Sequence, residues 1–151
     1  MNTPDLRPAL RAAGQTALGL VLLTAGTGHL TTQRQEFQAQ VPPWLPLDAD
    51  LVVVASGVVE LALGAALVAA WKQPARALAG ATAAAFFVAV FPGNVSQLIT
   101  RTDAFGLDSD TKRAVRLVFQ PGLVAWALWA TRARHTWRSR SGRRRAGGGP
   151  G

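Results

Sequence analysis

The segment from Leu51 to Trp71, LVVVASGVVELALGAALVAAW, is apolar apart from small residues and a single acid near its middle, Glu60. As a helix rising ~1.5 Å per residue it is long enough to cross the ~30 Å hydrocarbon layer of a bilayer. A carboxylate at that depth is unfavourable by roughly 2.5 to 3.5 kcal/mol on insertion scales, so it has to face protein and find a partner there. The rest of the chain must supply that partner.

Three further stretches share this character. No Asp, Glu, Lys or Arg occurs in the 22 residues from Ala12 to Gln33, the 24 from Ala77 to Thr100 or the 15 from Leu117 to Thr131. The mean hydropathy of +0.18 understates this, because charge is gathered in the connections and the tail. A soluble helix needs a polar face, and Ala77 to Thr100 offers only Thr82, Asn94, Ser96, Gln97 and Thr100, nearly all toward one end. The expectation is an all-α protein, an antiparallel bundle of four transmembrane helices spanning about 12–30, 51–71, 77–100 and 114–131. Residues 1–11 form a polar lead read as a loop or interfacial turn, and 133–151 a basic, low-complexity tail expected to be disordered. Residues 1–28 also have the outline of a cleaved signal peptide, with Arg7 and Arg11 ahead of an apolar core and a small-residue site at Ala25 to Gly28. The length of the apolar segment and the three spans after it favour a retained helix.

Lys and Arg divide unevenly between the two sides of such a bundle. Eleven fall at the N-terminus, the 72–76 turn and the tail, against five on the other side, so both termini are expected in the cytoplasm of a multi-pass cell-membrane protein. Attraction of the arginine-rich tail to anionic lipid explains it more economically than nucleic-acid binding. The absence of cysteine removes thiol chemistry, cysteine-ligated zinc and iron–sulfur clusters. Haem is disfavoured as well, because His29 and His135 are expected on opposite sides; no metal site is expected.

The polar residues of the spans fall at related depths. Ser56, Gly57, Glu60 and Gly64 share one narrow helical face, which should pack inward. His29 closes the first span, Asn94 lies six residues short of Thr100, and Arg116 and Gln120 open the fourth. Pro92-Gly93 beside Asn94 and Pro121-Gly122 beside Gln120 are expected to break or loosen their helices next to the site. The loop Val41-Pro42-Pro43-Trp44-Leu45-Pro46 is stiff and placed to cap a cavity. The expected site is therefore a polar cluster of His29, Glu60, Asn94, Arg116 and Gln120, lined by Pro92, Gly93 and Pro121, with Arg116 as counter-charge to Glu60.

Gly28-His29, Val41-Pro42, Ser56-Gly-Val-Val-Glu-Leu61, Phe91-Pro-Gly-Asn94 and Arg116-Leu-Val-Phe-Gln120, in that order across four spans, resemble the DoxX-like membrane proteins over residues 12–132. Gly93 departs from the alanine expected there, and the polybasic tail is additional. The resemblance implies a four-helix membrane bundle whose recurring polar positions match His29, Glu60, Asn94, Arg116 and Gln120. It also implies an accessory or quinone-linked redox subunit, since some relatives are subunits of thiosulfate:quinone oxidoreductases; a quinone is then a candidate ligand and a redox subunit a candidate partner. Two other roles fit the same residues: an assembly or scaffold protein whose polar cluster only locks the bundle, and a transporter of small molecules.

Overall fold

The computed structural model describes residues 5–134. Its elements are α1 (Arg7–Leu30), α2 (Arg34–Gln38), α3 (Ala49–Ala69), α4 (Ala75–Thr100) and α5 (Asp110–Ala130), and the described residues contain no strand. Among the described residues three helices, α1, α3 and α4, are long and apolar enough to cross a membrane. The basic tail and His135 lie outside the described residues.

Helix boundaries follow local chemistry. Residues 7–11, expected as a loop, form the first turns of α1, because Pro8 sits in the opening turn, where a helix needs no donor from it. The Asp48 carboxylate caps α3 by accepting from the Leu51 amide at 2.9 Å, and Ser109 caps α5 through the Lys112 amide at 3.4 Å. Neither Pro92 nor Pro121 interrupts its helix; α4 and α5 run through them.

The helices associate as two close pairs, α1 with α3 and α4 with α5, joined by lighter contacts between the pairs. Glycines set the first pairing. A Cβ on Gly26 would lie 2.7 Å from the Gly57 carbonyl oxygen, and one on Gly64 would lie 2.8 Å from that of Gly19. Small residues of this kind allow the backbone approach from which helices gain contact where burial from water gives no drive. In the second pair Gly80 leaves the space that Thr131 fills. Leu18, Leu22, Leu63, Leu67, Ala83, Phe87 and Ala127 form the core where the pairs meet. Large apolar side chains also cover the exterior, among them Leu78, Val88, Val118 and Phe119 at 61 to 74% exposure. That is a costly surface in water and an ordinary one in hydrocarbon.

Polar fastenings hold each end. At the end where α1 begins, the buried Gln15 amide donates to the carbonyls of Leu67 (2.7 Å) and Ala70 (2.9 Å), Trp126 donates to Gly14 (3.0 Å), and Arg76 donates to Ala130 (2.7 Å). At the opposite end Arg34 pairs with Asp50, and the buried Arg113 pairs with Asp103 and Asp110, tying the α4–α5 loop to its own helix. Lys112 turns away to Asp108 at 2.7 Å and holds that carboxyl below the usual range.

Candidate functional site

Glu60 lies on the face of α3 that meets α1 and is 92% buried, with 8% of its surface exposed. Its partner is His29 in the last turn of α1, whose Nδ1 lies 2.7 Å from Oε2. Gly57 makes this meeting possible, because a Cβ there would stand 2.8 Å from the Cβ of His29. Nδ1 also faces the Ala25 carbonyl at 3.0 Å, and its approach to the carboxylate is close without being an aligned hydrogen bond. Glu60 Oε2 consequently has no aligned donor among the described residues.

The expected Glu60–Arg116 pair does not form. Arg116 Nε donates to Asn94 Oδ1 at 3.1 Å and its Nη2 to Gln40 Oε1 at 3.3 Å, while the guanidinium carbon lies 5.3 Å from the centre of the Phe105 ring. Asn94 donates in turn to Gln120 Oε1 (3.0 Å), and Gln120 donates to the Phe87 carbonyl (2.6 Å). Phe87 immediately precedes Val88, whose carbonyl loses its helical donor to Pro92. The reason for the different pairing lies in the fold: Glu60 belongs to the α1–α3 pair and meets His29 there, whereas Arg116 belongs to the α4–α5 pair and bonds Asn94 of α4 and Gln40 of the segment after α2.

Between the two pairs lies a cavity of about 390 Å³. All five residues of the expected cluster, His29, Glu60, Asn94, Arg116 and Gln120, line it, as do Pro92 and Gly93. Pro121 does not; it is exposed on the outside of α5. Most of the remaining wall is apolar, including Leu22, Val53, Phe86, Phe87 and Val90, and the loop residues Val41, Pro42, Trp44 and Leu45 close one side.

Sequence reasoning missed the aromatic cover. Phe37 of α2 stacks on His29, with ring centres 3.3 Å apart and planes 19° from parallel. Phe105 meets Phe37 edge-on at 4.5 Å. Phe105 has φ of 56°, a left-handed conformation uncommon for a bulky residue, and its amide donates to Glu36 at 2.9 Å. His29, Phe37, Phe105 and Arg116 thus form a continuous row linking the two helix pairs, of which His29, Phe37 and Arg116 line the cavity. Gln40 was also missed; its backbone oxygen rests on Gly93, 3.0 Å from where a Cβ would stand. The unusual glycine in Phe91-Pro-Gly-Asn94 was the available signal for that contact.

Chemically, the arrangement puts an imidazole–carboxylate pair on one wall and a guanidinium carried by neutral amides on the other. The first can hold or release a proton; the second can fix an oxygen bearing partial negative charge. No cluster of metal-ligating side chains occurs among the described residues.

Residues 18–131 match the family described as a domain of unknown function, DUF8561. The chain belongs to this DUF8561 family. Neither a curated protein nor a solved structure matches it. The stretch shared with the DUF8561 family contains every cavity residue named above and stops before the basic tail.

Proposed function

We propose that the protein is a four-span membrane bundle of the DoxX-like kind, with both termini in the cytoplasm, and that its cavity binds a small lipophilic molecule bearing carbonyl oxygens, of the quinone class. In this reading it serves as an accessory or quinone-linked subunit of a redox complex. The observation that carries the proposal is the cavity itself, which brings a buried carboxylate with an unaligned oxygen, its histidine and an arginine to one apolar space. A volume of about 390 Å³ suits a substituted ring and the start of an isoprenoid chain. His29 and Glu60 would exchange a proton with one ring oxygen, and Arg116, positioned by Asn94 and Gln40, would hold the other. The ordered polar residues of the DoxX-like resemblance support the same site.

The fourth span in this reading is α5, whose first turns carry Lys112, Arg113 and Arg116 and whose Val118 and Phe119 face outward. Exposed tryptophans at both ends of the bundle, Trp44 at one and Trp71 and Trp129 at the other, suit a molecule whose ends meet two headgroup layers.

The test is a titration of the detergent-solubilised protein with a short-chain quinone, followed by calorimetry. Wild type should bind. Glu60→Gln should weaken binding about tenfold or more, the scale of one charge-assisted hydrogen bond, with unchanged helical circular dichroism. Equal binding by both proteins would remove Glu60 from the site. One observation favours the scaffold reading for part of the cluster: the chain from Asn94 through Gln120 to the Phe87 carbonyl joins α4 to α5 regardless of any ligand. Loss of fold together with binding in Glu60→Gln would extend that reading to the whole site.

A further inference from the structure

The end of the bundle remote from the cavity gathers positive charge, and neither Arg11 nor Arg76 has a carboxylate partner among the described residues. Arg11 on α1 and Arg76 on α4 lie there, with Arg132 just beyond α5; Arg76 is within coulombic reach of both others. Lys72 stands exposed in the adjoining turn. Of the eight carboxylates in the chain only Asp5 belongs to this end, and it accepts from the Arg7 amide at 3.1 Å. Glu36, Asp48, Asp50, Asp103, Asp108 and Asp110 all sit at the opposite end, where Arg34, Lys112 and Arg113 are paired.

Two of these arginines are held in place without having their donors used up. Arg76 gives one hydrogen to the Ala130 carbonyl at 2.7 Å, and its buried Nε has no partner among the described residues. The Arg11 guanidinium lies 6.0 Å from the centre of the Trp129 ring, its Nε likewise without a partner, and no acceptor among the described residues takes its hydrogens. Bringing guanidinium groups together in this way costs energy unless an anion stands between them. Their planar forks match the oxygens of a phosphate, and the half-exposed Trp71 and Trp129 supply rings of the kind found at headgroup depth.

We propose that Arg11 and Arg76 form a binding site for a phosphate group, that of an anionic lipid headgroup. The site is separate from the cavity and from the tail. It requires this end of the bundle to meet lipid headgroups, and it is independent of what the cavity binds.

The full chain is reconstituted in nanodiscs of phosphatidylcholine with a minor share of phosphatidylglycerol, released gently into detergent and weighed by native mass spectrometry. Wild type should retain one phosphatidylglycerol. Arg11→Gln should reduce that retention about tenfold, as loss of a charge-assisted contact does. Lys112→Gln, which removes the same charge at the opposite end, should behave as wild type. Arg76→Gln should also lose the lipid, but it gives up a contact with α5; Arg11→Gln surrenders no hydrogen bond and must show the loss alone, with unchanged melting in phosphatidylcholine-only discs. A second arm adds inorganic phosphate to those discs. Displacement or stabilisation by phosphate itself supports the site with free phosphate as the source, whereas retention of phosphatidylglycerol untouched by phosphate supports it with the lipid as the source. If Arg11→Gln retains phosphatidylglycerol as well as wild type and responds to phosphate identically, the proposal is overturned and lipid attraction belongs to the tail.

Discussion

At the level of single residues, the site turns on a missing side chain as much as on the charged ones, because His29 reaches Glu60 only across the bare backbone of Gly57. Gly57→Ala would place a methyl 2.8 Å from the Cβ of His29, and the two helices cannot both keep their positions. Overpacking of this kind costs about 1 to 3 kcal/mol. The expected outcome is a protein that folds with lowered resistance to thermal unfolding and binds the quinone probe more weakly, its helical content unchanged. Unchanged melting and binding would mean that the imidazole–carboxylate contact does not depend on that clearance. The five polar residues of the cluster were legible because they fall at related depths in the four expected spans. Their pairing was not, since periodicity places a residue on a face and says nothing of which helix that face meets. Glu60 found a histidine one helix away because the glycine register on α1 and α3 aligns them, and that register becomes visible only when both helices are seen together.

Among the elements, the two proline-containing helices separate a cavity effect from a helix effect. Pro92 and Pro121 both lie inside continuous helices, yet Pro92-Gly93 borders the cavity and Pro121 faces outward. Gly93→Ala should push the Gln40 backbone oxygen outward by a few tenths of an ångström, disturb the Gln40–Arg116 contact and alter quinone affinity. Pro121→Ala should leave affinity unchanged and raise thermal stability slightly, as a helix interior gains its missing hydrogen bond. Calorimetric titration and thermal melting of the two variants give both readings; an equal loss of affinity in Pro121→Ala would show that α5 shapes the site through its backbone. The short helix α2 and the aromatic row through Phe37 and Phe105 escaped the sequence because they sit in polar connections, where no repeat marks an inward residue. Only the stiff Val41 to Pro46 segment announced a cover. Gln15, buried in α1, escaped for a different reason: it lies at the other end of its helix, away from the depth that the cluster residues share.

For the whole molecule, charge is sorted between the two ends. Acid–base pairs occupy the end beside the cavity, and the other holds Arg11 and Arg76 with no carboxylate partner among the described residues. In the proposed bundle the Lys and Arg count, which includes the tail, puts the basic end inward. The chain has no cysteine, so single thiols can be introduced without removing any. Asp108→Cys and Lys72→Cys, both on exposed positions, should react with a membrane-impermeant maleimide from opposite sides of sealed vesicles. Reaction of both from one side would refute the crossing of α4 between them, and reaction of the thiol at position 72 from outside would refute the orientation.

The most direct test of the central claim is to find where a bound ligand lies. A quinone carrying a photoreactive diazirine, crosslinked to the full chain in nanodiscs and mapped by peptide mass spectrometry, should label the walls of the cavity at Phe37, Trp44, Phe87 and Val90, and excess unmodified quinone should suppress that labelling. Labelling spread over the outer faces at Leu78, Val118 and Phe119, indifferent to the competitor, would contradict it.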